Sequence, residues 1–145
     1  MKKFLVVFTM ILAVSSIFAS QEMQMELVNY WESNDIEYIE LEESIWIILT
    51  ENQNIKLGIL KDSDSICFTF SFDTTKEDYT KFLLDTEKLP YSRQFKDDLL
   101  DCLLENMRYF STFKRSAEPY FVWLDNYLVE VYFFIDDSAM YLMME

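Results

Sequence analysis

Several residue types that most catalytic sites need are missing or scarce in this chain. Among its 145 residues there is no histidine, and Gly58 is the single glycine. Without histidine the chain lacks the commonest general base, the Ser–His and Cys–His nucleophile pairs and the commonest zinc ligand. With one glycine it cannot form a phosphate loop or a dinucleotide-binding fingerprint, because both need several glycines. We therefore expect no enzyme: no catalytic residues, no cofactor and no metal site.

Positive charge is also scarce. The chain has 12 Lys and Arg against 26 Asp and Glu, a net charge of −14, and losing Lys2 and Lys3 takes it to −16. Such a chain repels nucleic acid and anionic membrane surfaces, since both are bound through Lys and Arg. It attracts basic proteins, cationic peptides or divalent metals. The alternative is that the acidity serves solubility alone.

The first twenty residues have the layout of a bacterial-type secretory signal. Lys2 and Lys3 precede an apolar stretch over residues 4–14, and a small-residue segment ends at Ala19 and Ser20. We predict a signal peptide over residues 1–20, with cleavage after Ala19, and a single domain over residues 21–145. The protein is then exported, periplasmic or secreted, and free of the membrane. An uncleaved membrane anchor is the alternative, although a spanning helix needs about 20 apolar residues.

The spacing of apolar residues predicts the elements of this domain. A helical face that includes Leu27 and Trp31 comes first, and three strands follow at residues 45–49, 55–60 and 66–72. Two helices come next, one starting at Thr74 with capping-box spacing to Glu77 and one over residues 93–114. Strands at 120–124 and 127–135 flank the turn Asp125–Asn126.

A short final helix over residues 139–145 is predicted to follow a cap at residues 136–138. The order α-β-β-β-α-α-β-β, with this optional last α, predicts an α+β fold: an antiparallel sheet of about five strands with helices packed on it.

This order resembles the YbjN-like family, which shares the fold of type III secretion chaperones. The segment Leu27–Tyr38 looks like the first helix and strand of the family, and Asn106, Phe110 and Phe113 before the hairpin look like its second half. The chain departs from the family in its extra helix over residues 74–92, its short terminal helix and its signal peptide. The resemblance implies a non-enzymatic fold that acts through protein contacts and carries no catalytic residues.

Export permits a disulfide between Cys67 and Cys102. Period two places Cys67 on the strand face opposite Phe68 and Phe70, and Cys102 lies beside the apolar stripe of its helix. If that helix packs on the phenylalanine face, the two sulfur atoms lie on opposite sides of the sheet. A bridge needs Cα atoms within about 7 Å, so we predict two unpaired cysteines.

Acidic residues form three groups that suggest chemistry but have simpler interpretations. The groups are a helical stripe at Asp97, Asp101 and Glu105, a cluster at Glu40, Glu42 and Glu43, and the pair Asp136–Asp137. Two carboxylates can hydrolyse glycosides without histidine, but helical acid stripes are usually solvated. Asp62 and Asp64 begin like a calcium loop, yet Ile66 and the missing glycine break the EF-hand spacing, so we predict a turn.

An aromatic and methionine-rich surface is the best candidate for function. In the 127–135 strand, alternate residues point away from the presumed core, and the 139–145 segment adds methionines to the same end of the chain. Apolar patches that stay exposed often mark partner sites, although a covering helix would explain them equally well. The predicted partner-binding residues are Leu128, Tyr132, Phe134, Met140 and Met143.

The function predicted from the sequence is therefore that of an exported acidic protein with a chaperone-like or adaptor-like role, acting through contacts with another protein. That partner is expected to be basic, and a second copy of the chain is a further candidate. One alternative is an inhibitor or immunity-type protein that neutralises a basic toxin or enzyme. Another is a small carboxylate-dependent hydrolase or metal-binding protein, which requires a concave site with perturbed carboxylates.

Overall fold

The computed structural model describes residues 19–85 and 87–145. Seven antiparallel strands form one sheet in the spatial order β1-β2-β3-β4-β7-β6-β5, with three helices on one of its faces. The α+β class predicted from the sequence is confirmed. The elements are α1 (19–33), β1 (Ile39–Glu40), β2 (Ser44–Ile48), β3 (Ile55–Leu60), β4 (Ser65–Ser71), α2 (Lys76–Leu84), α3 (Arg93–Phe113), β5 (Tyr120–Leu124), β6 (Tyr127–Ile135) and β7 (Ala139–Met144).

The sheet buries one face against the helices, which we call the covered face. Alternate residues of each strand point into it, as period two requires, and Phe68 lies at its centre. The ring of Phe68 meets Phe82 of α2 edge-on at 6.2 Å and tilts against Phe95 of α3 at 6.5 Å between centroids. From α1, Leu27 and Trp31 join the same core. Side chains from the sheet and from the three described helices therefore form one core.

Helices α2 and α3 are fixed at their ends by polar contacts. Thr75 and Asp78 form a capping box at the start of α2, one residue later than the sequence spacing predicted. Lys96 of α3 is buried, and its ammonium donates to the backbone oxygen of Asp85 at the end of α2 while lying 5.8 Å from the centre of the Phe82 ring. Burial lowers the pKa of Lys96. This lysine therefore joins the two helices and satisfies a carbonyl at a helix end.

The C-terminal segment differs most from the sequence prediction. Residues 139–145 were expected to form a short helix, but Ala139–Met144 is strand β7, inserted between β4 and β6. The sheet therefore has seven strands rather than about five, the other addition being the two-residue β1. Because strand β7 alternates, Met140 points into the covered face and is 3% exposed, paired in register with Phe70. The structure thus places Met140 in the core, whereas the sequence analysis placed it on an exposed, partner-binding surface.

The predicted signal peptide lies outside the described residues except at its end. Residues 1–18, which hold its basic and apolar parts, belong to the part of the chain that the structure does not describe. Ala19 and Ser20 are helical and buried, and the Ser20 hydroxyl donates to the backbone oxygen of Asp64. Within residues 19–85 and 87–145, no helix combines the length and the apolarity needed to cross a bilayer.

Candidate functional site

The second face of the sheet carries no helix from the described part of the chain, and we call it the open face. The strand register brings one residue from each of six neighbouring strands into a single row across it. With interstrand spacings of about 4.8 Å, the five steps of this row cover about 24 Å. The row runs Ile39, Trp46, Gly58, Cys67, Met143, Tyr132 and is apolar apart from the tyrosine hydroxyl.

Gly58 has a specific structural role in this row. A Cβ atom placed on Gly58 would lie 2.7 Å from the indole ring of Trp46, closer than carbon atoms approach. The glycine therefore lets the indole lie flat on the neighbouring strand. The indole nitrogen donates to the hydroxyl of Ser44 at 2.8 Å, which fixes the ring in this position. The sequence analysis used Gly58 only as the single glycine, whose isolation excludes a glycine-rich phosphate loop; it did not predict this packing role.

A pair of stacked aromatic rings lies beside the row. Phe134 of β6 and Tyr141 of β7 are register partners, with centroids 4.7 Å apart and planes inclined by 9°. Phe134 is nevertheless 41% exposed. Trp123 on the neighbouring β5 is 64% exposed and lies opposite Leu128. Large aromatic residues this exposed on a sheet face are typical of protein-binding surfaces.

Carboxylates accept hydrogen bonds around this aromatic surface. The hydroxyl of Tyr132 donates to Glu130 at 2.9 Å, and that of Tyr141 donates to Asp136 at 2.7 Å. The pKa of Tyr132 rises because burial and the bond to Glu130 both disfavour the phenolate. Glu145 lies across from Glu130 and accepts from the hydroxyl of Ser65 at 3.0 Å. Among the described residues, Lys56 is the one cation whose strand position places it on this face. The open face is thus apolar at its centre and acidic at its rim.

Four of the five predicted partner-binding residues meet on this face. Leu128, Tyr132 and Phe134 occupy it through β6, and Met143 through β7, while Met140 lies in the core. Sequence reasoning missed Trp46, Trp123 and Tyr141. Alternation along residues 120–124 would have indicated Trp123, whereas Tyr141 was hidden by the helix predicted for its segment.

The acidic groups singled out in the sequence stay apart from this surface or serve local structure. Glu40 pairs with Lys61 at 2.8 Å, and Asp97 pairs with Arg93 at 3.8 Å along α3. Asp136 accepts from the backbone N–H of Ser138 and Ala139, which lowers its pKa and closes the β6–β7 turn. Within the described part of the chain, no three His, Cys, Asp or Glu side chains are grouped to hold a metal ion.

The calcium-like segment is a turn, as predicted. Asp64 has a left-handed backbone, with φ of 49°, and its carboxylate accepts from the side-chain amide of Gln21 at 3.1 Å. The two cysteines are both free and buried. Cys67 lies on the open face, and Cys102 lies on α3 at the covered face, beside Leu103.

Comparison of this chain with protein-family models, with curated proteins and with solved structures gave no match.

Proposed function

We propose that this chain is an exported, non-enzymatic binding protein whose open face binds a basic protein. The observation that carries the proposal is the sheet face without a helix from the described residues, where the rings of Phe134 and Trp123 stay exposed beside the row from Trp46 to Tyr132. Keeping large aromatic side chains in water costs free energy, and burial against a partner recovers it.

Charge determines the kind of partner. The rim of the open face holds Glu130, Glu145 and Asp136, and the chain as a whole carries a charge of −14. A partner with an apolar patch surrounded by Lys and Arg complements this arrangement, and its approach is accelerated by electrostatic steering. Export is supported by the basic and apolar layout of residues 1–20, and the resemblance to the YbjN-like family also favours a role through protein contacts.

The test compares two exposed phenylalanines. Phe134 lies on the open face, whereas Phe72, which is 51% exposed, lies beyond β4 on the side of α3, near Leu100 and Leu104. The chain and its Phe134→Lys and Phe72→Lys variants are used as baits on an extracytoplasmic extract of the source cell. Each recovered protein is purified, and its affinity is measured by calorimetry at two salt concentrations.

The proposal expects one Lys- and Arg-rich protein that binds the chain and Phe72→Lys equally. Phe134→Lys should weaken this binding at least tenfold, and salt should weaken binding to all three baits because it screens the attraction. If Phe134→Lys binds as well as Phe72→Lys, the open face is not the binding surface. Cell fractionation with intact-mass measurement tests export, since cleavage after Ala19 leaves a chain that begins at Ser20.

A further inference from the structure

Strand β5 forms one edge of the sheet, and the backbone groups of two of its five residues have no partner among the described residues. The closing pair of its hairpin is Leu124 and Tyr127, so residues 120, 122 and 124 bond to β6. The backbone hydrogen bonds between Glu130 and Glu145 confirm this alternation, because they show that the backbone groups of the even-numbered residues of β6 face β7. The N–H and C=O groups of Phe121 and Trp123 therefore point away from the sheet, and no described residue bonds to them.

The opposite edge of the same sheet carries features that protect it from pairing. There, β1 pairs with β2 over two residues only and places the charged Glu40, bonded to Lys61, at the outside. Further along, the ammonium of Lys88 donates to the backbone oxygen of Ile48 at 2.9 Å. Short strands and lysines are the usual means of protecting an edge. Strand β5 has neither protection. It is five residues long, and no charged residue occurs between Glu118 and Asp125.

We propose that β5 pairs antiparallel with β5 of a second copy of this chain about a two-fold axis at Val122. In this register Phe121 of each copy faces Trp123 of the other, and these two pairs form four backbone hydrogen bonds. Every free group of both edges is then used. Pro119, which has no N–H, and the left-handed Asp125 end the pairing on either side. On the open face, the side chain of Phe121 meets the indole of Trp123 as a cross-strand aromatic pair.

A second copy fits this edge better than the basic partner proposed for the open face. The edge offers no carboxylate between residues 119 and 124 to attract a cation, but its apolar residues are complementary to themselves under two-fold symmetry. Two copies that each carry −14 repel one another, and salt screens that repulsion. Self-association should therefore strengthen as salt rises, whereas binding of a basic partner should weaken. This inference does not depend on the proposed function.

Disulfide trapping tests the register. At the two-fold axis, Val122 and its symmetry mate form a non-hydrogen-bonded pair with Cα atoms about 4.5 Å apart, within reach of a disulfide. A Val122→Cys variant of the full chain should oxidise to a covalent dimer of twice the 17.5 kDa chain mass. Phe121→Cys is the matched control, because residue 121 lies opposite residue 123 and not opposite itself. The unmodified chain, whose two cysteines are buried, is the blank.

A second measurement avoids reliance on one variant. Phe121→Pro removes an N–H that β6 does not use, so the fold is kept while one hydrogen bond of each pair is lost. We expect light scattering to show a dimer for the unmodified chain and loss of that dimer for Phe121→Pro. In the unmodified chain, the amides of Phe121 and Trp123 should exchange hydrogen more slowly as protein concentration increases.

Three results would overturn the proposal. The first is equal cross-linking of Val122→Cys and Phe121→Cys, and the second is a monomer at every concentration and salt level. The third is a dimer that survives Phe121→Pro but is lost in Phe134→Lys. The last result would place the second copy on the open face. Protection of both amides only when a basic protein is added would assign the edge to that protein instead.

Discussion

On the covered face of the sheet, Phe68 has no exposed surface and touches rings from two helices. On the open face, Phe134 is 41% exposed and touches the ring of Tyr141. Both residues lie in strands with strict alternation, and the sequence pattern around them is equally apolar. The difference arises because the three helices within the described residues all pack on one side. Burial on the covered face stabilises the fold, whereas Phe134 and Trp123 on the open face keep much of their surface exposed.

The largest expected effect compares truncation on the two faces. Phe68→Ala should lower the free energy of unfolding by about 3–5 kcal/mol, because it leaves a cavity among Phe70, Phe82 and Phe95. Phe134→Ala should lower it by less than about 1 kcal/mol, since its ring is already partly in water. Urea denaturation of both variants measures the two values. Equal losses would mean that the open face is as important to folding as the covered face.

A smaller effect is expected from filling the space beneath Trp46. Gly58→Ala places a methyl group 2.7 Å from the indole, and overpacking of this kind costs about 1–3 kcal/mol. Because the backbone of Gly58 is not left-handed, the cost comes from the contact with the ring alone. The measurement is urea denaturation followed by tryptophan fluorescence.

Trp46→Ala supplies the control for this prediction. In the double variant Gly58→Ala with Trp46→Ala, the added methyl group meets no ring, so its cost should disappear. A cost that persists without Trp46 would locate the strain elsewhere on β3.

Part of this architecture was predictable from local patterns. Strict alternation around Phe68 predicted β4, the turn Asp125–Asn126 predicted the β5–β6 hairpin, and helical spacing predicted α3. These signals need only neighbouring residues. The open face, by contrast, depends on which side the helices choose, and no periodicity specifies that choice.

Strand β7 shows why the remainder was missed. Its Met- and Leu-rich composition favours helix, and Asp136 before it resembles a helix cap. In the structure Asp136 caps a turn instead, and Met140 and Met143 become strand residues between β4 and β6. Pairing on both sides outweighs helix propensity here, and that pairing involves β4, whose residues lie about seventy positions earlier in the chain. The misplacement of Met140 follows directly from this error.

Lowering the pH should remove a stabilising contribution from one aspartate on each side of the sheet. Asp78 accepts from the backbone N–H of Thr75 at 2.8 Å and from Asn54 at 3.1 Å, which lowers its pKa to about 2. Asp136, at the open-face turn, has its pKa lowered further by the N–H of Ser138 and the hydroxyl of Tyr141.

Both folded-state pKa values lie below the ordinary carboxyl value of about 3.9, so each aspartate stabilises the fold above that pH. The contribution of Asp78 is lost as pH falls from about 4 toward 2, and that of Asp136 declines over the same range and further below it. The variants Asp78→Asn and Asp136→Asn should each make the melting temperature less sensitive to pH in this range. The control is Asp101→Asn, a substitution at a surface residue. A slope unchanged from that of the unmodified chain would contradict the assigned hydrogen bonds.

The smallest expected effect concerns reactivity rather than stability. Burial on the open face raises the pKa of Cys67 to about 11, so at pH 8 only about one thiol in a thousand is ionised. We expect no labelling of Cys67 by a maleimide within the time that labels it fully in denaturant, as measured by mass spectrometry of peptides.

Trp46→Ala should accelerate labelling, because the indole belongs to the row that shields the sulfur, whereas Phe72→Ala should leave the rate unchanged. A basic partner bound to the open face should slow labelling of Trp46→Ala again, which makes Cys67 a reporter of occupancy on this face. Fast labelling in the unmodified chain would contradict the burial of Cys67 in the row from Trp46 to Tyr132.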